Sequence, residues 1–359
     1  MNSDNPKRRL FLQAMAGVLA SAAWPLRAAQ RVPIADMHSH YGLIQRNLTL
    51  AGFAEDMRAN GVAIVAWKLV ADGPWLRTTN KGIEQASTPR PGALAAHFDQ
   101  QLAKMKAYVA EKRLRTVLTR GDVDACIAGE PGVVLASEGA DFLEGRIERL
   151  DAAYEKGLRH LQFVHYIGTP VGDFQTVAPK HNGLSEMGKK LIEACNAKGI
   201  LVDLAHSTGA SVDQALEIAK VPFIWSHGWV GAADGDWRDE FGFQKRRLSL
   251  DHAKKIAARG GVIGLWGLAL SRPASGWSVT LRDTAAYARE LAQLADKIGA
   301  DHVALGTDIE GVGPNWSVNN YADVRAVVDH LQSMKLPDSA VERIAYANYA
   351  RVLKAALPA

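Results

Sequence analysis

At 359 residues and 48% hydrophobic, the chain is long enough to bury a large core, either as one elaborated barrel or as two smaller domains. Its two cysteines, Cys126 and Cys195, stand in no paired-cysteine motif, which argues against a disulfide scaffold or a thiolate metal site. The formal charge of +4 resides mostly in the first 29 residues: without Lys7, Arg8, Arg9, Arg27 and Asp4 it falls to +1. No basic run with interleaved aromatics follows, so a nucleic-acid partner is disfavoured.

In chain order, Lys7-Arg8-Arg9-Leu10-Phe11-Leu12 comes first, then a mildly apolar stretch over residues 14–24 and the small pair Ala28-Ala29. That succession reads as an export signal over residues 1–29, and the paired arginines resemble a twin-arginine signal, with Lys7 where the consensus prefers Ser or Thr. The expectation is passage through the twin-arginine translocase to a periplasmic or otherwise extracytoplasmic location. Residues 30–359 are left as a single hydrolase domain. No later stretch has the apolar length of a membrane span.

Eight apolar runs then follow as strand candidates: residues 32–36, 62–67, 133–138, 160–165, 200–206, 222–227, 262–266 and 302–308. Between most of them lie stretches with apolar residues at three- and four-residue spacing, such as 94–112, 188–198, 211–219, 250–259 and 284–298. Alternating strand and helix, with strands apolar on both faces, predicts an α/β fold of parallel βαβ units, a (β/α)8 TIM-type barrel. Residues 72–92 and 228–245, rich in Gly and polar residues, interrupt the rhythm and are expected to be long loops over the barrel mouth.

The strand candidates share one grammar: several end in an imidazole or a carboxylate. His38 and His40 close the first, Glu138 the third, His165 the fourth, His206 the fifth, His227 the sixth and Asp308 the eighth. A parallel barrel brings the C-terminal ends of its strands to one face, so these residues converge there as a metal site. On an extended strand, His38 and His40 point the same way and can chelate together. Glu138 can bridge two cations and hold them at the separation that two-metal hydrolysis needs. His97, His181, His252, His302 and His330 have no such setting.

These residues, with Ser137-Glu138-Gly139, Thr169-Pro170, Val202-Asp203-Leu204-Ala205-His206, Ser226-His227, Arg247, Gly306-Thr307-Asp308-Ile309-Glu310-Gly311 and a closing stretch carrying Asn348 and Arg351, resemble the membrane (renal) dipeptidase family of zinc peptidases. The resemblance runs from about residue 32 to 353. It implies a binuclear zinc centre that cleaves dipeptide-like substrates: His38 on one ion, Glu138 bridging, His206 and His227 on the other. It further implies that Asp308 stands beside the nucleophilic water and the substrate amine, that His165 polarises the scissile carbonyl, and that Arg247 receives the substrate carboxylate.

Two departures stand out. The family has Asp where this chain has His40; ligation by His40, as in the wider amidohydrolase group, would raise the net charge at the metals and make occupancy of the second site less certain. The connection from His227 to Arg247 is longer than usual, and Leu248 follows where the family has Asn, so Arg238 and Arg246 compete with Arg247. A metal-dependent amidase, deacylase or lactonase acting on a secondary metabolite, and a catalytically silent periplasmic binding or maturation protein, remain as alternatives. Oligomeric state, a homodimer included, stays open.

Overall fold

The computed structural model describes residues 31–44, 48–268, 271–272, 277–278, 282–311 and 317–359. The signal expected over residues 1–29 lies outside them.

Eight strands form a closed parallel barrel: β1 Ile34–Ser39, β2 Val62–Val70, β3 Gly132–Glu138, β4 His160–Gln162, β5 Leu201–Asp203, β6 Ile224–Trp225, β7 Val262–Leu265 and β8 Val303–Leu305. Going round the sheet, the order is β2, β1, β8, β7, β6, β5, β4, β3, and seven residue pairs from Ile64↔Gly132 to Val70↔Glu138 join β3 back to β2. This is the predicted (β/α)8 architecture. Several strands are shorter than their apolar runs, because the ligand-bearing residues have already left the ladder. Helices Ala93–Glu111, Glu186–Lys198, Gly209–Ile218, Leu250–Ala258 and Thr284–Ile298 occupy the expected stretches. The starts of the last four are fixed by N-cap side chains that accept an orphan backbone N–H, such as Ser185 from Gly188 and Asp283 from Ala286.

Alternation along each strand sorts the side chains into two sets. Val65, Trp67, Val133, Leu135, Leu161, Val202, Trp225 and Ile263 pack outward in the main core with the helices. Inward, Ile64, Val134, Leu201, Ile224, Val262 and Ala304 make an apolar layer at the lower end, sealed by Tyr349, Val352 and Leu353 of the helix Asn348–Ala356. One step higher, the same inward stripes carry Lys68, Gln162, Asp203 and Ser226, all fully buried. The interior thus changes from apolar to polar as it approaches the mouth.

The two expected loops contain structure of their own. Residues 72–92 hold an antiparallel hairpin, Leu76–Thr79 with Gly82–Gln85. Within residues 228–245, Trp229–Gly231 pairs in parallel with Arg247–Ser249, and Gly242–Lys245 makes a helical turn. The tips meet: the Gly242 N–H donates to the Lys81 carbonyl at 2.6 Å. Both cysteines are buried and free, and no helix among the described residues is long and apolar enough to cross a membrane.

Candidate metal centre

The upper ends of β1, β3, β5, β6 and β8 deliver His38, His40, Glu138, His206, His227 and Asp308 to one buried point. The β1–β2 register slips between Asp36 and Ser39, an irregularity that turns the strand end toward the mouth. His206 and Asp308 adopt left-handed backbone with φ of 73° and 54°. Such strain costs about 1–3 kcal/mol per residue and persists where the surroundings over-determine it, commonly at functional sites.

Two triads share one carboxylate: His38, His40 and Glu138 on one side, Glu138, His206 and His227 on the other. Glu138 Oε2 lies 3.0 Å from His40 Nε2, and Oε1 lies 3.2 Å from His206 Nε2 and 3.5 Å from His38 Nε2. Within each triad the imidazoles face one another through Nε2, at 3.1 Å for His38 and His40 and 3.2 Å for His206 and His227. Asp308 Oδ1 joins the first pair, 3.2 Å from His40 Nε2, while its Oδ2 accepts the Trp266 indole N–H at 2.7 Å.

Hydrogen bonding to the rings decides which nitrogen carries a lone pair. The His40 Nδ1 sits 2.8 Å from the Lys68 carbonyl, which can only accept, so Nδ1 holds a proton and Nε2, facing Glu138 and Asp308, is the nitrogen from which a metal cation would displace one. At His227, Nε2 accepts from the Arg246 guanidinium at 3.2 Å and is likewise unprotonated. Burial and the Lys68 ammonium push His38 down to about 4, while burial and Arg246 push His206 well below the usual range. Burial acts against charge at His40 too, but Glu138 and Asp308 outweigh it and hold that ring up to about 10. Lone pairs and carboxylate oxygens therefore converge on a place that calls for positive charge, and neutral imidazoles with carboxylates are the donor set of a divalent transition metal. The residues fit a metal pair, His40 included.

Beneath the ligands lies a polar layer absent from the site residues read in the sequence. The Ser226 hydroxyl touches His38 Nδ1 at 3.0 Å, His227 Nδ1 at 3.1 Å and Lys68 Nζ at 3.2 Å, linking one ligand from each triad. Lys68 also donates to Gln162 at 3.0 Å and is ion-paired with Asp203. His160 bonds Asp203 at 3.2 Å and the Tyr349 hydroxyl at 3.1 Å. Burial alone would raise the Asp203 carboxyl, but Lys68 and His160 hold it far below the usual carboxylate range. Such partners of metal ligands fix ring orientation and basicity. Their signal in the sequence is a charged or polar residue inside an apolar run, as Lys68 is in Val62–Val70.

His165 stands at the rim, its Nε2 3.4 Å from Glu138 Oε2 and its Nδ1 2.6 Å from Asp72 Oδ1. Burial opposes its protonation, yet Asp72 and Glu138 raise its pKa. Asp72, which also accepts the Tyr166 N–H at 3.1 Å, was not singled out in the sequence. Arg246 is buried in the site, bonded to Gln175 at 3.2 Å and packed 5.0 Å from the Trp266 ring. Arg247 is directed elsewhere, toward Asp239 at 3.1 Å, and Arg238 pairs with Asp236 at the surface. Glu310 clamps the loop after β1, accepting from the Gly42 and Leu48 N–H groups at 2.7 Å each.

The family profile described as membrane dipeptidase, peptidase family M19, matches residues 54–358. Among curated proteins, an uncharacterized protein in the pqqA 5′ region of Klebsiella pneumoniae is 26% identical over 264 residues, 71% of this chain and 94% of that protein. The dipeptidase verJ of Clonostachys rogersoniana is 28% identical over 160 residues, 44% of this chain and 38% of its own length. Mouse dipeptidase 3 is 31% identical over 99 residues, 26% of this chain and 20% of its own. Two solved structures share the fold. A dipeptidase of metallopeptidase family M19 superposes with a TM-score of 0.71 at 20% identity, covering 92% of this chain and 100% of the other. A Rhodobacter sphaeroides metallopeptidase bound to a phosphinate mimic of L-Ala-D-Ala gives 0.70 at 19% identity, covering 91% and 99%.

Proposed function

The chain belongs to the membrane dipeptidase family, peptidase family M19, and is a metallohydrolase of that family; from this premise we propose that it hydrolyses the peptide bond of small dipeptides with two zinc ions. The observation that carries the reading is the pair of triads sharing Glu138. His38 and His40 would hold one ion and His206 and His227 the other, with Glu138 between them. When bound, such ions supply Lewis acidity and lower the pKa of water to about 7, so no activated serine or cysteine is needed.

The chain's own residues do the rest. Asp308, oriented by the Trp266 indole N–H, accepts a proton from the attacking water. His165, held through Nδ1 by Asp72, presents Nε2 toward the scissile carbonyl and donates to the oxygen as negative charge develops there. Arg246, rather than Arg247, receives the substrate carboxylate, because of the two it is Arg246 that lines the cavity, bonded to the ligand His227. Burial of the whole constellation strengthens each of these interactions.

The test is a dipeptide panel with purified, metal-loaded protein. Release of free amino acids should disappear on chelation and return with zinc. Absence of turnover on every member with both metal positions filled would remove the peptidase assignment. Export by the twin-arginine route is supported by the pattern in residues 1–29 alone; replacing Arg8 and Arg9 by Lys should retain the protein in the cytoplasm, and undiminished export would reject the route.

A further inference from the structure

The cavity above the triads, about 330 Å³, is charged at one end and apolar at the other. Strand order explains the division. In the closed sheet β2 lies diametrically across the mouth from β6. His227 follows β6, with Arg246 bonded to it, whereas the hairpin Leu76–Gln85 grows out of β2. A substrate whose carboxylate rests on Arg246 therefore extends across the triads toward the hairpin.

At that far end the lining is Leu43 and Ile44 after β1, Leu69 and Val70 at the end of β2, and Leu76 and Ile83 of the hairpin. The hairpin register makes this face deliberate: Ile83 pairs with Thr78, two residues from Leu76, and all three line the cavity. The two acids that line the cavity, Glu138 and Asp308, are both engaged with the histidines. His97, at the outer edge, has its Nε2 at the Val70 carbonyl, 3.3 Å away. Arg77 of the hairpin also lines the cavity, but its guanidinium is paired with Glu84 at 2.8 Å, so a charged side chain placed here would lose hydration without gaining an unpaired counter-charge, whereas an apolar one would be removed from water. The bond from Gly242 to Lys81 ties the hairpin tip to the opposite loop at the mouth of the cavity.

Resting on the dipeptidase reading, we infer that the substrate's N-terminal residue carries a bulky apolar side chain, seated beneath the hairpin, and that the enzyme discriminates against small or charged residues there. A hydrophobic pocket discriminates by about 10- to 200-fold per methylene. Comparing Leu-Ala, Phe-Ala, Gly-Ala, Asp-Ala and Lys-Ala, kcat/KM should favour the first two over Gly-Ala by about 100-fold or more, with the charged pair below them. Ile83→Asp should narrow the gap and raise Lys-Ala relative to Leu-Ala, a change of preference that mere loosening of the hairpin would not produce. Equal turnover of all five dipeptides, or a preference that follows the C-terminal residue in Ala-Leu and Ala-Gly instead, overturns this inference while the peptidase reading stands. Turnover of none overturns both.

Discussion

Lys68, Gln162, Asp203 and His160 on strands, with Ser226 just past the end of β6, lie beneath the ligands, with the polar groups of each side chain bonded to one another or to the ligands. The hairpin Leu76–Gln85 lies above them, half exposed, and meets the opposite loop through backbone at Gly242 and Lys81. Below the metal centre, geometry is enforced by burial, where an unpaired charge is costly. Above it, shape is set by loop backbone and surface side chains that tolerate change, the arrangement expected of a rigid chemical centre beneath an adjustable specificity element.

The sharpest way to test the contrast is Lys68→Met, which leaves the Asp203 carboxylate buried without its cation. Unfolding by denaturant should show a loss of about 3–5 kcal/mol; a loss below 1 kcal/mol would mean the lower layer is no more demanding than the loops. Ser226→Ala is expected to be milder for folding and more specific for metal. By removing the hydroxyl shared by His38 and His227, it should weaken metal affinity about 10- to 100-fold in a competition titration, and both positions should be affected because the hydroxyl serves both triads. Weakening at one position alone would show that the triads are supported separately. Smallest is Glu84→Ala in the hairpin. Glu84 pairs with Arg77 at side chains 49% and 62% exposed, and such a pair is worth about 0.2–1 kcal/mol. A larger fall in stability would show that the roof carries structural weight after all.

The same contrast governs what could be read from the sequence. Apolar runs ending in His or acid made the barrel and the converging ligands legible, since period-two alternation and parallel closure leave those residues few places to go. Lys68 was hidden by its surroundings: one cation in a largely apolar run looks like a strand edge until β5, across the barrel interior, is known to offer Asp203. The two arginines were ambiguous for a different reason. Arg247 opens a short strand paired with Trp229–Gly231, and neighbouring residues there face opposite ways, so Arg246 turns in and Arg247 out. Nothing in the order of residues gives that parity. Asp72 sits in a Gly- and Pro-containing stretch whose composition announces a turn and conceals the hairpin that follows it.

Tyr349, on the helix that seals the lower end of the barrel, is the first member of a relay of contacts through His160, Asp203, Lys68 and Ser226 to the ligands. During synthesis, strands carrying His38 and Glu138 emerge some 200 or more residues before this helix does. This helix cannot seal the base of the interior until residue 356 has cleared the ribosome, so every candidate ligand is synthesised before the support that aligns them is complete. Final alignment of the candidate ligands is then a late event in the life of the polypeptide, dependent on a helix at the other end of the barrel.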